Sequence, residues 1–189
     1  YITESGLIKA DEIRKLIEFI AERQNERERK LKNGLFVPEG AIPDHINFDG
    51  KAVFFPGTYS SSYNQGKGQC GFYPPHDDQY FFIEIVKKYI EITGDYNFLN
   101  KKIGQKTIFE ILKRSFKCYN IDEKTQLCFS DEEEYTVDWG FCDTIKKTGL
   151  LLFPSILRYN SAILMKEFSE KLRKDGEFYY KIALKIKEN

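Results

Sequence analysis

The sequence predicts an all-α fold of helical hairpins separated by long loops. Three observations carry this expectation. Apolar residues recur at three-four-seven spacing in several segments, and glycine follows two of them, at "TGD" and "KDG", where a left-handed cap ends a helix. One order of parts also occurs twice: loop, buried helix, glycine turn, amphipathic helix. The 189 residues, 41% hydrophobic and 15% aromatic, suffice for one domain with its own core.

From Asp11 to Leu31 the residues Ile13, Leu16, Ile17 and Ile20 lie on one helix face, and "ERQNERERK" reads as its solvated end. A long non-helical segment follows from Asn33 to Pro75, broken by "NG", "PEG", "IPD", "DG", "PG" and "GKG". Its aromatics, among them Phe48, Phe54, Phe55, Tyr59, Tyr63, Phe72 and Tyr73, argue against disorder. Pro74 and Pro75 stop any earlier helix, so the next begins near Asp77, where a carboxylate suits the unpaired N–H groups of a first turn. Its apolar residues, Tyr80 through Ile90, cover nearly the whole circumference, which predicts burial on most sides. Gly94 ends it, and Asn97 to Cys118 resumes the helical period. In the segment after Cys118, "LCF" and "YTV" are candidate short strands, forming at most one β-hairpin. A second helical hairpin runs from "FPSILRYNSAILMKEF", with Ser155 as its candidate cap, through Gly176 to "EFYYKIALKIKEN".

Several function classes are disfavoured by composition. Lys plus Arg and Asp plus Glu are each 29, so no net field steers the chain toward nucleic acid or an anionic membrane. The longest apolar runs fall far short of the roughly 20 residues that span a bilayer, and the first residues lack a signal pattern. The chain begins at Tyr1, consistent with a processed product, a domain or part of a longer enzyme. Cys70, Cys118, Cys128 and Cys142 stand at wide, unequal spacings without C-x-x-C, which reads as free thiols in a reducing, cytoplasmic setting, against a disulfide such as Cys118 with Cys128. "GKGQCG" lacks the ending and context of a phosphate loop, and neither Cys70 nor Cys142 sits in a nucleophile pattern. His45 and His76 lie on different loops without a two-histidine helical spacing, so no metal site is expected.

Two loops bring carboxylates next to aromatics just before a buried helix: "YPPHDDQY" and "EEEYTVDWGFCD". Glycosidic chemistry needs this pairing, because one acid must hold its proton in a site of low polarity while another stays charged. Flat rings add apolar faces on which a sugar can stack.

"PPHDDQYFFIEIVKKYIEITGDYNFL", then "VDWGF", then "RYNSAILMKEFSEKLRKDGEFYYKIALKIK" resembles the repeating hairpins of the six-hairpin glycosidases, carbohydrate-active enzymes built as an α/α toroid. The resemblance spans Gly71 to Lys187, and more loosely "GLFVPEGAIPDH" and "FFPGTY"; the α-rhamnosidase-like and α-glucosidase-like branches come closest. It implies a partial or shortened toroid with a cleft where inner helices begin. It further implies a proton-donating carboxyl with a second carboxylate, a carbohydrate substrate and no organic cofactor. Sugar, linkage, stereochemical outcome and oligomeric state stay open.

Asp77, Asp78 and Asp138 occupy loop-before-helix places and are the catalytic candidates. For Asp77 and Asp78 the competing reading is one helix cap and one solvated carboxylate. Asp138 is the preferred acid, because the neighbouring Trp139 ring can desolvate it, against a structural hydrogen bond. Trp139, His76, Tyr73 and Tyr59 are the substrate-binding candidates, and Glu132 to Glu134 read as a solvated turn. The rival function is a noncatalytic helical module that binds carbohydrate or protein.

Overall fold

A computed structural model describes residues 6–31, 34–55, 71–117, 120–138 and 146–189. Helix α1 (Ala10–Ala21) opens with the Lys9 amide donating to the Glu12 carboxylate at 2.8 Å and buries Ile13, Ile17 and Ala21. It stops ten residues short of the expected Leu31. Past its end Gln24 and Asn25 turn inward as a buried anchor, while Glu26 to Lys30 are exposed as expected. Gln24 Nε2 donates to Ile111 O and Ser115 Oγ, both at 2.9 Å, and Asn25 Nδ2 donates to Pro38 O at 2.7 Å. Bonds to these backbone and side-chain partners outweigh the weak helix propensity of such a segment.

Four small antiparallel pairs appear, in the long loop, in stretches expected to be helical (Arg29–Lys30 and residues 102–107) and at the expected "LCF" strand: β1 (Arg29–Lys30) with β2 (Phe36–Val37), β3 (His45–Ile46) with β4 (Ala52–Val53), β5 (Lys102–Ile103) with β6 (Lys106–Thr107), and β7 (Cys128–Ser130) with β8 (Gly149–Leu151). The expectation of an all-α toroid is therefore corrected: the described residues are 47% helical, in five α-helices and a 3-10 turn, plus four two-stranded sheets. Strands of two or three residues offer no period to read, so only the glycine turns betray them. The expected "LCF" with "YTV" pairing is also replaced. Cys128 to Ser130 pair with Gly149 to Leu151, and Thr136 bridges to Gly71.

Helix α2 (Asp78–Thr93) is close to the predicted span and ends at Gly94 with φ 71°. Asp77 occupies its N-cap position without a side-chain capping bond, so the capping alternative is not realised there. A 3-10 turn (Tyr96–Asn100) leads through the β5–β6 hairpin to α3 (Ile108–Phe116), which a reciprocal cap holds: Thr107 Oγ1 accepts from the Glu110 amide at 3.2 Å and the Thr107 amide donates to Glu110 at 2.7 Å. Helix α4 (Leu152–Lys171) begins three residues before Ser155, whose hydroxyl instead accepts from the Cys128 amide at 2.9 Å. Helix α5 (Glu177–Glu188) folds back on α4 at Gly176, where an added Cβ would stand 3.0 Å from Lys166 O.

Helix α2 packs against α1, α3 and α4, which explains its apolar circumference. Ile83, Leu112, Met165 and Phe168, each 0% exposed, join the five helices in one core. Each such side chain stabilises the fold by about 1.5–3 kcal/mol relative to exposure. A smaller cluster of Leu35, Val37, Ala41, Phe54 and Phe55 sits under the β1–β2 region. No described helix is long and apolar enough to cross a membrane.

Candidate functional site

The two carboxylate-bearing loops meet. Phe72 N donates to Tyr135 O at 2.8 Å, His76 N donates to Val137 O at 2.9 Å, and Gly71 pairs antiparallel with Thr136. Between these bonds lie Pro74 and Pro75, which have no N–H to give. Thr136 compensates with its side chain, donating from Oγ1 to Pro74 O at 2.7 Å. Gly71 makes the approach feasible: its φ is +109°, and a Cβ there would lie 3.0 Å from Tyr135 O.

This seam places His76, Asp77 and Asp138 together in the interior, at 0%, 0% and 1% exposure. Phe129 O stands 2.9 Å from His76 Nε2, and a carbonyl can only accept, so Nε2 carries the ring proton. Burial pushes the imidazole down to about 4, against the opposing pull of the Phe129 carbonyl and the Asp138 charge. His76 is neutral at pH 7. Asp138 is met by Lys147, whose Nζ lies 2.6 Å from Oδ1. Its neighbour Trp139 and the distant Tyr59 lie outside the described residues. Tyr73 is half-buried at the outer edge of the seam, packed edge-on to Phe36 with centroids 5.4 Å apart and donating to Glu134 Oε2 at 3.2 Å.

Asp78 opens α2 and differs from both neighbours. The residue is half-buried, yet its Oδ2 is enclosed and accepts no hydrogen bond. Burial, first, and then the negative charges of Asp44 and Asp77 hold its pKa well above the usual carboxylate range. The positive end of α2 acts the other way, but a helix terminus is worth only about 0.3–1 kcal/mol, less than the desolvation of an enclosed carboxyl oxygen. Desolvation wins.

Asp44 was not singled out from the sequence as a site residue. The β3–β4 hairpin carries it to the mouth of α2, with its side chain 13% exposed and His45 Nδ1 2.6 Å from its Oδ2. Only the "DH" doublet marked the place beforehand, and nothing in it pointed to α2. Cys128, next to His76's acceptor Phe129, is a free buried thiol that burial raises to about 11, so it is not an available nucleophile. Among the described residues no group of three His, Cys, Asp or Glu is spaced to hold a metal ion.

The arrangement thus combines one carboxyl biased to keep its proton, an ion-paired carboxylate and a neutral histidine. No protein-family model matches the chain, and no curated protein is significantly similar to it.

Proposed function

We propose that the chain is a glycoside hydrolase-like enzyme, or the part of one that carries the proton donor, cleaving a glycosidic bond by paired carboxyl groups. The observation that supports this reading is the backbone seam between residues 71–76 and 135–137, which gathers Asp77, Asp78, His76 and Asp138 from loops about 60 residues apart in the chain. In the proposed mechanism Asp78 protonates the leaving oxygen, since its surroundings favour the neutral acid. Asp138, ion-paired with Lys147, is the better charged partner, either attacking the sugar or activating a water. This exchanges the roles the sequence suggested. Asp77 and neutral His76 position the start of α2 between them, and Tyr73 offers a ring at the edge.

The test is hydrolysis of a panel of aryl α- and β-glycosides, rhamnosides included, by the purified chain, Asp78→Asn and Asp138→Asn. Loss of the donor is expected to lower kcat by about 10²–10⁴-fold. Because a carboxyl with a raised pKa costs stability as pH rises past its unfolded value near 3.8, Asp78→Asn is expected to be at least as stable as the parent at pH 7. A folded parent that turns over no glycoside on the panel refutes the catalytic reading.

One observation favours the rival, a noncatalytic module. Leu150, Leu152, Phe153 and Ile156 stand 37–77% exposed around the start of α4, a contiguous apolar face of the kind that binds another macromolecule. Saturable sugar or protein binding without turnover is its expected signature.

A further inference from the structure

Arg158 of α4 is 4% exposed and its guanidinium meets only neutral acceptors. Nε donates to Gln126 O at 3.1 Å, Nη2 to Gln126 Oε1 at 3.2 Å, and Nη1 to Phe116 O at 3.0 Å with a long contact to Tyr80 Oη at 3.5 Å. The Phe116 ring lies beneath it at 4.6 Å. Among the described residues no carboxylate pairs with it. Four of the five N–H groups are thereby used, leaving one on Nη2. A buried cation without a counter-charge is costly, and the C-terminal end of α3, through Phe116 O, offsets about half a charge at most.

Arg158 lines a cavity of about 610 Å³ at the end of α3 and along α5, a size suited to a small molecule. Lys117, Lys181 and Lys185 stand around it, with Glu123 the one acidic residue among the described lining. Lys181 reaches Glu177 only at 3.9 Å, and Lys117 and Lys185 enter no ion pair among the described residues. Phe178, 53% exposed, supplies an apolar wall. Four cations thus face one carboxylate in a chain whose total charge is zero.

We propose that this cavity is a binding site for a phosphoryl group, free or as the monoester of a small molecule, held by Arg158 from within and by the three lysines from the rim. A planar guanidinium with a spare N–H matches a tetrahedral oxyanion, and flexible lysines supply point charges around it. The cavity shares no lining residue with the carboxyl cluster, and its test needs no turnover.

Inorganic phosphate and phenyl phosphate are titrated into the whole chain by calorimetry, against chloride at matched ionic strength, with thermal unfolding alongside. One saturable site and a melting temperature that rises with phosphate beyond chloride are expected. Arg158 also ties α3 to the turn at Gln126, so its removal endangers folding. The exposed rim pair Lys181→Glu/Lys185→Glu therefore carries the test. It is expected to weaken phosphate at least tenfold, while Lys30→Glu/Lys102→Glu, which changes the charge by the same amount outside the cavity lining, leaves affinity unchanged. Tighter binding of phenyl phosphate identifies the monoester as the favoured form and Phe178 as its wall; equal affinity identifies the free anion. Phosphate that acts no differently from chloride, or a rim variant that binds like the parent, overturns the proposal.

Discussion

A histidine beside a buried aspartate is often charged, yet His76 is neutral because desolvation of the ring outweighs the attraction of Asp138, whose charge is already met by Lys147. The consequence for stability has a definite sign. The folded pKa, about 4, lies below the ordinary value of 6.5, so between these limits the unfolded chain binds the extra proton. Stability is then full above pH 6.5 and is lost as pH falls through 4, by about 3 kcal/mol for a shift of this size. Glutamine at position 76 keeps a donor for Phe129 O without the titration. His76→Gln is therefore expected to lose less stability than the parent between pH 7 and 4, which paired melting curves at the two pH values would read. Parallel curves would mean that His76 does not sit in the environment described. The residue scale is also where the sequence was most informative about the site: Asp77, Asp78, His76 and Asp138 were all marked by their aromatic and helical neighbours. That the Asp78 carboxyl is held above its ordinary range was not, because this depends on its burial and on Asp44, brought in from 34 residues before it.

At the scale of elements, the helices with strong apolar periods were legible, whereas the short strands and the end of α1 were not. Gln24, Asn25 and Gly40 show why. Gly40 has φ +85°, and a Cβ there would stand 2.6 Å from the Arg114 backbone oxygen, so the loop after β2 and the helix α3 touch main chain to main chain. The amide of Gly40 donates to Asn25 O at 2.9 Å, and Gln24 binds Gly40 O at 3.1 Å, closing the arrangement. Gly40→Ala is expected to cost about 2–4 kcal/mol from left-handed strain and overlap, a melting drop of roughly 5–15 °C. Gly94→Ala shares the positive φ but meets nothing within 4 Å, so only strain of about 1 kcal/mol is expected there. Equal melting temperatures for the two variants would remove the close approach as the reason for Gly40. In the sequence "PEG" announces a turn, but the partner that forbids a side chain lies more than 70 residues away.

Across the whole molecule, one core unites all five helices, with the smaller cluster around Phe54 and Phe55 beside it. Phe168, 0% exposed on α4, faces that core, and Phe168→Ala is expected to destabilise by about 3–5 kcal/mol. In urea the variant should show a single earlier transition with an unchanged slope, as one cooperative core requires. A second transition, or a cost below about 1 kcal/mol, would contradict a shared core. The sequence by itself determined where the buried helices lie, that prolines and glycines bound them, and that carboxylates gather before two of them. Those features follow from local periodicity and from backbone restrictions that each residue carries with it. Tertiary structure alone decided that the described residues are mixed rather than all-α, that the two loops form one seam, and that burial holds the Asp78 carboxyl above its ordinary range. Hydrogen bonds between distant loops and the desolvation of a carboxyl depend on what packs around them, and no local pattern contains that information.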